Sequence, residues 1–355
     1  MDKPFDKPCM FSSKNLLISL FFVLLFSSVL RAQYTTTKVK TKHEIYRDSL
    51  KQVDYDYIFP ILGKGAYKKG FDIPYPVGLM ANYMWMEQNL IIDNMQLGLK
   101  TDALDIPLTP VDFIQFGENS NSSYAYNVRP DLWILPFLNV YGIFGGGQSH
   151  TEVNLTAPIS LMSEVDQGLR TAGFGVMGAG GIGPVWFSVD ANWTWSKPEL
   201  LDKAVMVNVL GIRFGHTFTF KNKPERNIAL WAGGMRMKMS SETKGEIKLI
   251  DALPPETWDR RDELVNNYYD WYNNEATIGQ KIIADQVLTP IVERIDAADG
   301  DSIVRYGMDK QVQDKWNGVI GGQYQVNKRW MFRTEGGLIG NRKSFLISVN
   351  YRFLL

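Results

Sequence analysis

The sequence predicts an all-β protein, a transmembrane antiparallel up-and-down β-barrel of about twelve strands, with ten as the other even count and a helical insert in one long loop. Three observations predict it. The final segment alternates strictly, with Phe345, Ile347, Val349, Tyr351 and Phe353 separated by Leu346, Ser348, Asn350 and Arg352, the period of a strand with one apolar and one polar face. Earlier segments repeat this over ten residues or more, and Trp193, Trp195, Phe218, Phe220, Trp316 and Trp330 collect at their ends. Length of that kind suits a tilted membrane strand, and aromatic ends suit the interface girdles of a barrel. Finally, connections alternate between tight (181–184, 221–226, 327–329) and long (147–168, 195–203, 239–314), the asymmetry of short periplasmic turns and longer outer loops.

Each element follows in order. Residues 1–32 read as a secretory signal peptide: Lys3, Lys7 and Lys14 precede an apolar run over 16–29, and Leu30-Arg31-Ala32 offers a cleavage site. That run is shorter than the roughly 20 residues a spanning anchor helix needs. Residues 33–76 form an N-terminal periplasmic leader with a helix expected over 42–53, and 77–355 form the barrel. Strands are expected near 123–134, 137–147, 171–181, 185–195, 204–220, 227–239, 316–327, 329–339 and 344–353, with room over 77–117 for one long strand or three shorter ones. With the N-terminus inside, this order puts the 239–314 connection on the extracellular side.

That connection carries the insert, over 245–312. Trp258, Leu264, Val265, Tyr268, Trp271 and Tyr272 recur at near-helical spacing after Pro254-Pro255. A second run over 278–295 is interrupted by Pro290. Two amphipathic helices are expected, their apolar faces covered by each other, by the rim, or by the lumen as a plug.

Composition excludes several function classes. Lys plus Arg equals Asp plus Glu at 38 each, so no net charge draws nucleic acid. The one cysteine, Cys9, falls within the signal, which excludes disulfides and cysteine zinc sites from the mature chain. A mean hydropathy of −0.17 is too polar for a helical membrane protein. Two literal G-x-G-x-x-G matches, Gly173 to Gly178 and Gly178 to Gly183, lead through Pro184 into a strand and not into a helix, so the context of a dinucleotide site is missing. Of three histidines, His43 lies in the leader, His150 in a loop beside Ser149 and Thr151, and His216 on a face with Phe214, Phe218 and Phe220. No pair has metal-ligand spacing and none stands beside a nucleophile with an orienting acid. The expectation is no catalytic residues, no metal and no cofactor.

The functional signal is the inward face. Arg129, Asp131, Asn139, Asp190, Asn192, Arg213, Gln323, Arg333, Glu335 and Arg352 fall on the positions opposite the apolar ones. An arginine facing lipid near the midplane would cost about 2–4 kcal/mol, so these side chains are assigned to the lumen. If their charges pair across the interior the barrel is closed; if they line opposite walls they form a polar path.

The junction Leu30-Arg31-Ala32-Gln33 and the ending Ser348-Val349-Asn350-Tyr351-Arg352-Phe353 resemble those of Bacteroidota outer-membrane barrels. The stretch from Asn127 through Asp131, Trp133 and Pro136 to Gly142 resembles a segment of uncharacterised porin-like barrels of Gram-negative bacteria. The resemblance implies an outer-membrane barrel contacting lipid and lipopolysaccharide and inserted by the barrel assembly machinery, although Leu354-Leu355 follow the usual terminal aromatic. It implies no catalytic residues. The expected function is porin-like passage or transport of a small solute, with no nucleic-acid partner. The alternative is a non-conducting surface barrel whose insert binds a partner.

Overall fold

The computed structural model describes residues 42–240 and 242–354; the signal-peptide segment and the start of the leader lie outside the described residues. Strand β1 (Val77–Lys100) pairs with β14 (Arg342–Phe353) along one edge and β4 (Asn119–Leu135) along the other. From β4 the order runs through β5 (Leu138–Ala157), β6 (Leu161–Ile182), β7 (Val185–Pro198), β8 (Val205–Phe220) and β9 (Lys223–Met239). It continues through β12 (Trp316–Gln325) and β13 (Trp330–Ile339) back to β14, and every pair is antiparallel. The ring closes with 10 strands, the lower of the two expected counts. Four further strands lie beyond it at one end: β2 (Asp105–Pro110), β3 (Gln115–Phe116), β10 (Glu242–Lys248) and β11 (Ile303–Val312). Here β1 outruns β14 and pairs instead with β11 from Leu90↔Val312 onward.

Alternation sorts the side chains. Every ring strand sends bulky apolar groups outward, among them Leu79, Val128, Phe144, Phe174, Phe187, Phe214, Leu230, Ile320, Phe332 and Ile347, all exposed. A belt of this extent on water would be far beyond the few hundred Å² a soluble monomer exposes. The inner face of the same strands carries Met80, Asp131, Asn139, Ser188, Arg213, Glu335 and Arg352, all buried.

Three expectations are corrected. The 147–168 segment is not a loop: β5 and β6 keep pairing from Gly147↔Leu169 to Leu155↔Leu161. The reason is that Val153, Leu155, Leu161 and Val165 still have an apolar partner, the insert, at this height. His150 therefore sits on a strand. The insert is also narrower than 245–312, since 242–248 and 303–312 are the β10–β11 hairpin arms and the helices run between them. Third, Pro290 does not break the second helix. A π-helical turn over Ala284–Leu288 joins Ile278–Ile283 to Thr289–Asp296. It widens the ladder just ahead of a residue that has no N–H to close it.

In the leader, α1 (Lys42–Lys51) and α2 (Gly63–Lys68) enclose a small core of Leu50, Tyr55, Tyr67 and Ile73. In the insert, α3 (Leu249–Ala252) and α4 (Pro255–Asp259) lead to α5 (Arg261–Asn274). That helix lies against α7 (Thr289–Asp296), which follows α6 (Ile278–Ile283) through the π-helical turn. Tyr268 Oη and Thr289 Oγ1 are 2.6 Å apart between α5 and α7, and Thr277 and Gln280 form a capping box at the start of α6. Leu264, Val287, Ile291 and Ile295 from these helices share one core with Ile92, Val153, Val205 and Tyr306 from strands. The insert thus occupies the mouth of the barrel at the long-loop end.

Candidate functional site

The interior is organised in two tiers and a chamber. The lower tier lies near the tight-turn end. Arg352 Nη2 donates to Asp131 Oδ1 at 2.8 Å, Asn139 Nδ2 donates to the same oxygen at 2.8 Å, and Arg352 Nε donates to the Tyr75 carbonyl at 2.8 Å. The last strand of the barrel is thereby tied to β4, β5 and the leader at once. Gly78 stands directly beside this pair, where a Cβ would meet Asp131 Oδ2 and the Arg352 guanidinium. The leader closes over this end: Lys328 Nζ reaches Asp72 at 3.1 Å, and Ile61 N–H donates to the Ile134 carbonyl at 2.8 Å.

The upper tier is a belt of charge across the barrel. Arg213 on β8 donates through Nε to Glu335 Oε2 at 2.6 Å and through Nη2 to Oε1 at 2.8 Å. Its Nη1 pairs with Asp190 on β7. Glu335 Oε2 also accepts from Trp231 Nε1 at 2.7 Å and Arg333 Nη2 at 3.0 Å. Asn192 donates to Asp190 at 3.0 Å and accepts from the Tyr141 hydroxyl at 2.7 Å, and the Arg129 guanidinium stacks 3.9 Å from the Tyr141 ring centroid. Gly211 leaves the space between Asp190 and Arg213 that a side chain would fill. Bidentate guanidinium–carboxylate geometry in a low-dielectric interior is rigid as well as strong.

Of the ten inward candidates, Asp131, Asn139 and Arg352 meet in the lower tier. Arg129, Asp190, Asn192, Arg213, Arg333 and Glu335 meet in the belt. Gln323 joins neither, its Nε2 lying 3.4 Å from the Met331 sulfur. Three members of this interior escaped sequence reasoning: Trp231, Tyr141 and a methionine lining. The signal for the last was present, since Met84 and Met86, and Met235, Met237 and Met239, recur with period two.

Above the belt is a chamber of about 390 Å³, whose wall includes Met80, Met84, Met86, Met237 and Val207, with Lys310 from β11 on the same wall. A second, open cleft of about 950 Å³ lies where β1 and β4 stop pairing at Leu90↔Asn119, lined by residues 89–95, 111–112 and 114–119 with Gln313. Leu90 borders both spaces. Among the described residues no group of His, Cys, Asp and Glu is arranged to hold a metal ion. His150 Nδ1 lies 2.9 Å from Asp166 and its Nε2 3.3 Å from Glu152, so both ring nitrogens face carboxylates.

These features define a class: a closed ten-stranded antiparallel β-barrel with a cross-linked interior, a capped mouth and an internal chamber. No family model and no curated protein matches the chain. Among solved structures it is similar to the β-domain of the Bordetella autotransporter Brka, at 8% identity over 78% of this chain and 100% of that one, TM-score 0.36. It is also similar to the transport unit of the autotransporter AIDA-I from Escherichia coli, at 8% identity over 89% and 100%, TM-score 0.30. The Ralstonia pickettii toluene transporter TbuX aligns at 6% identity over 79% and 90%, TM-score 0.26. The barrel assignment rests on the strand register, not on these likenesses.

Proposed function

We propose that the chain is an outer-membrane barrel of a Gram-negative bacterium that admits a small solute to an internal chamber, as a transport protein and not as an open diffusion pore. The observation that carries this reading is the charge belt. Arg213, Glu335 and Asp190 pair across the interior and leave the chamber on one side of the belt. Support for the membrane comes from the exposed apolar side chains on all ten ring strands. Support for an outside-facing mouth comes from the topology: the tight turns and the leader share one end, and the insert sits at the other. The cleft beside Leu90 is the entry this reading assigns to the solute.

The alternation of the last strand, from Phe345 to Phe353, supports lipid and lipopolysaccharide contact and insertion by the barrel assembly machinery. The resemblance to Bacteroidota barrels, carried by the signal junction and the same last strand, remains part of the proposal. No nucleic-acid role and no catalysis are proposed.

Planar-bilayer conductance tests the reading. The full chain is expected to be silent, and replacing residues 249–302 by a short turn together with R213A and E335A is expected to give steady conductance. A large steady current through the unaltered protein would overturn it. A second reading, a non-conducting barrel whose insert binds a partner, is favoured by Ile278 and Ile282, which are 82% and 56% exposed on the insert. Silence of the altered barrel as well would favour that second reading.

A further inference from the structure

We infer that the chamber binds a small amphipathic monocarboxylate, its apolar body against the methionine wall and its carboxylate on the Lys310 ammonium. This rests on the transport reading above and names the solute class.

Charge comes first. The charged residues lining the chamber are Arg129, Arg213, Arg333 and Lys310 against Asp190 and Glu335. Four cations against two anions leave a surplus of two positive charges, in a space shielded by lipid and by the insert. Arg213 and Arg333 pair with carboxylates, whereas Arg129 has no ion pair and its Nε no hydrogen-bond partner, but its guanidinium is stacked on the Tyr141 ring within the belt. Lys310, on the far wall, has none of these: among the described residues it has no hydrogen-bond, ion-pair or ring partner. An anion at that end of the chamber would therefore find the Lys310 ammonium free to receive it.

Geometry agrees. Lys310 pairs with Ile92 on β1, beyond the last β1–β14 pair at Gln88↔Arg342, so it lies above the lipid band. On the strands around it, the chamber-lining positions are Gln88, Leu90, Met237, Met239 and Thr243. The charged neighbours Asp93, Lys238, Glu242, Lys244 and Asp309 alternate to the opposite face. Burial without a counter-charge lowers the Lys310 ammonium to about 8.

The apolar part fits too. Seven methionines line the chamber, and unbranched thioethers adapt to irregular apolar bodies and make favourable contacts with aromatic rings. A volume of about 390 Å³ is within the range of about 300–1,000 Å³ of small-ligand sites. The polar rim (Asn121, Ser123, Thr194, Ser196) has hydroxyls and amides but no further cation.

The test is calorimetric titration of the full chain in lipid nanodiscs with phenylbutyrate, against phenylbutanol and against empty nanodiscs. Phenylbutyrate is expected to bind and the alcohol to bind at least about tenfold more weakly, as loss of a charge-assisted hydrogen bond implies. K310M should abolish that preference, K310R should restore it, and circular dichroism should show both variants folded. Affinity for the acid should fall as pH rises through about 8, where the ammonium is lost. Equal binding of acid and alcohol, or K310M binding like the unaltered chain, overturns the role of Lys310. No binding of either compound overturns the ligand class, whereas the conductance experiment judges the transport reading by itself.

Discussion

Arg213 on β8 and Glu335 on β13 face each other across three strand intervals of the barrel and form a bidentate pair, at 2.6 and 2.8 Å. Strands that share no ladder are thereby locked together through the lumen. Removing Arg213 leaves Glu335 with only Arg333 and Trp231 and strips Asp190 of its cation, and removing Glu335 leaves Arg213 with Asp190 alone; breaking a buried pair on one side costs about 3–5 kcal/mol. The expected outcome is that R213M and E335M each destabilise the refolded barrel by that order. The double variant should lose much less than the sum, read as a double-mutant cycle on urea unfolding.

Arg352 does the same work at the tight-turn end. Its guanidinium serves Asp131 on β4 and the Tyr75 and Pro76 carbonyls at the end of the leader. R352A should loosen the last strand and the leader together. Limited proteolysis should then cut within residues 42–76 faster than in the unaltered chain, while R352K should recover only part of the protection because it lacks the planar fork.

Lys328, in the tight turn between β12 and β13, holds the leader through Asp72 at 3.1 Å. Burial works against its ammonium, but the Asp72 carboxylate beside it prevails and raises its pKa above the ordinary lysine value. A raised folded pKa contributes stability that is complete below the unfolded value of about 10.4 and is lost only as pH climbs through the folded one. Protease resistance of residues 42–76 should therefore stay level from neutral pH to about 10, and D72N should lower it throughout that range.

The outward face of β14 gives a direct test of the membrane band. Ile347 is exposed between Phe345 and Val349. I347R should cost about 2–4 kcal/mol when the protein is unfolded from vesicles. A far smaller cost would mean that this face meets water and not hydrocarbon.

Much of the barrel was legible because membrane strands write themselves in period two. Phe345 to Phe353 announced the final strand, and the same rule put Arg129, Asp190, Arg213 and Glu335 on the inner face. Burial of those side chains follows from the cost of charge in lipid, which is a local quantity. Failures came where a partner distant in sequence took over. The 147–168 segment looked like a loop because Gln148, Ser149, His150 and Thr151 blur the alternation, yet it stays a strand because the insert packs on its inner side. Lys310 lay inside what read as a helical insert, and only the β10–β11 hairpin brings it to the chamber wall.

The sequence by itself determined the strand pattern, the face each residue takes and hence the apolar exterior, since those depend on a two-residue repeat and on the solvent each face meets. Only the tertiary structure decided that ten strands close the ring, that Arg213 finds Glu335 and Asp190 while Arg352 finds Asp131, and that Lys310 is left unpaired above a methionine-lined space. The physical reason is that charge pairing and enclosure depend on distances between strands far apart in the chain. Those distances are set by ring closure and by the packing of the insert, which no local repeat encodes.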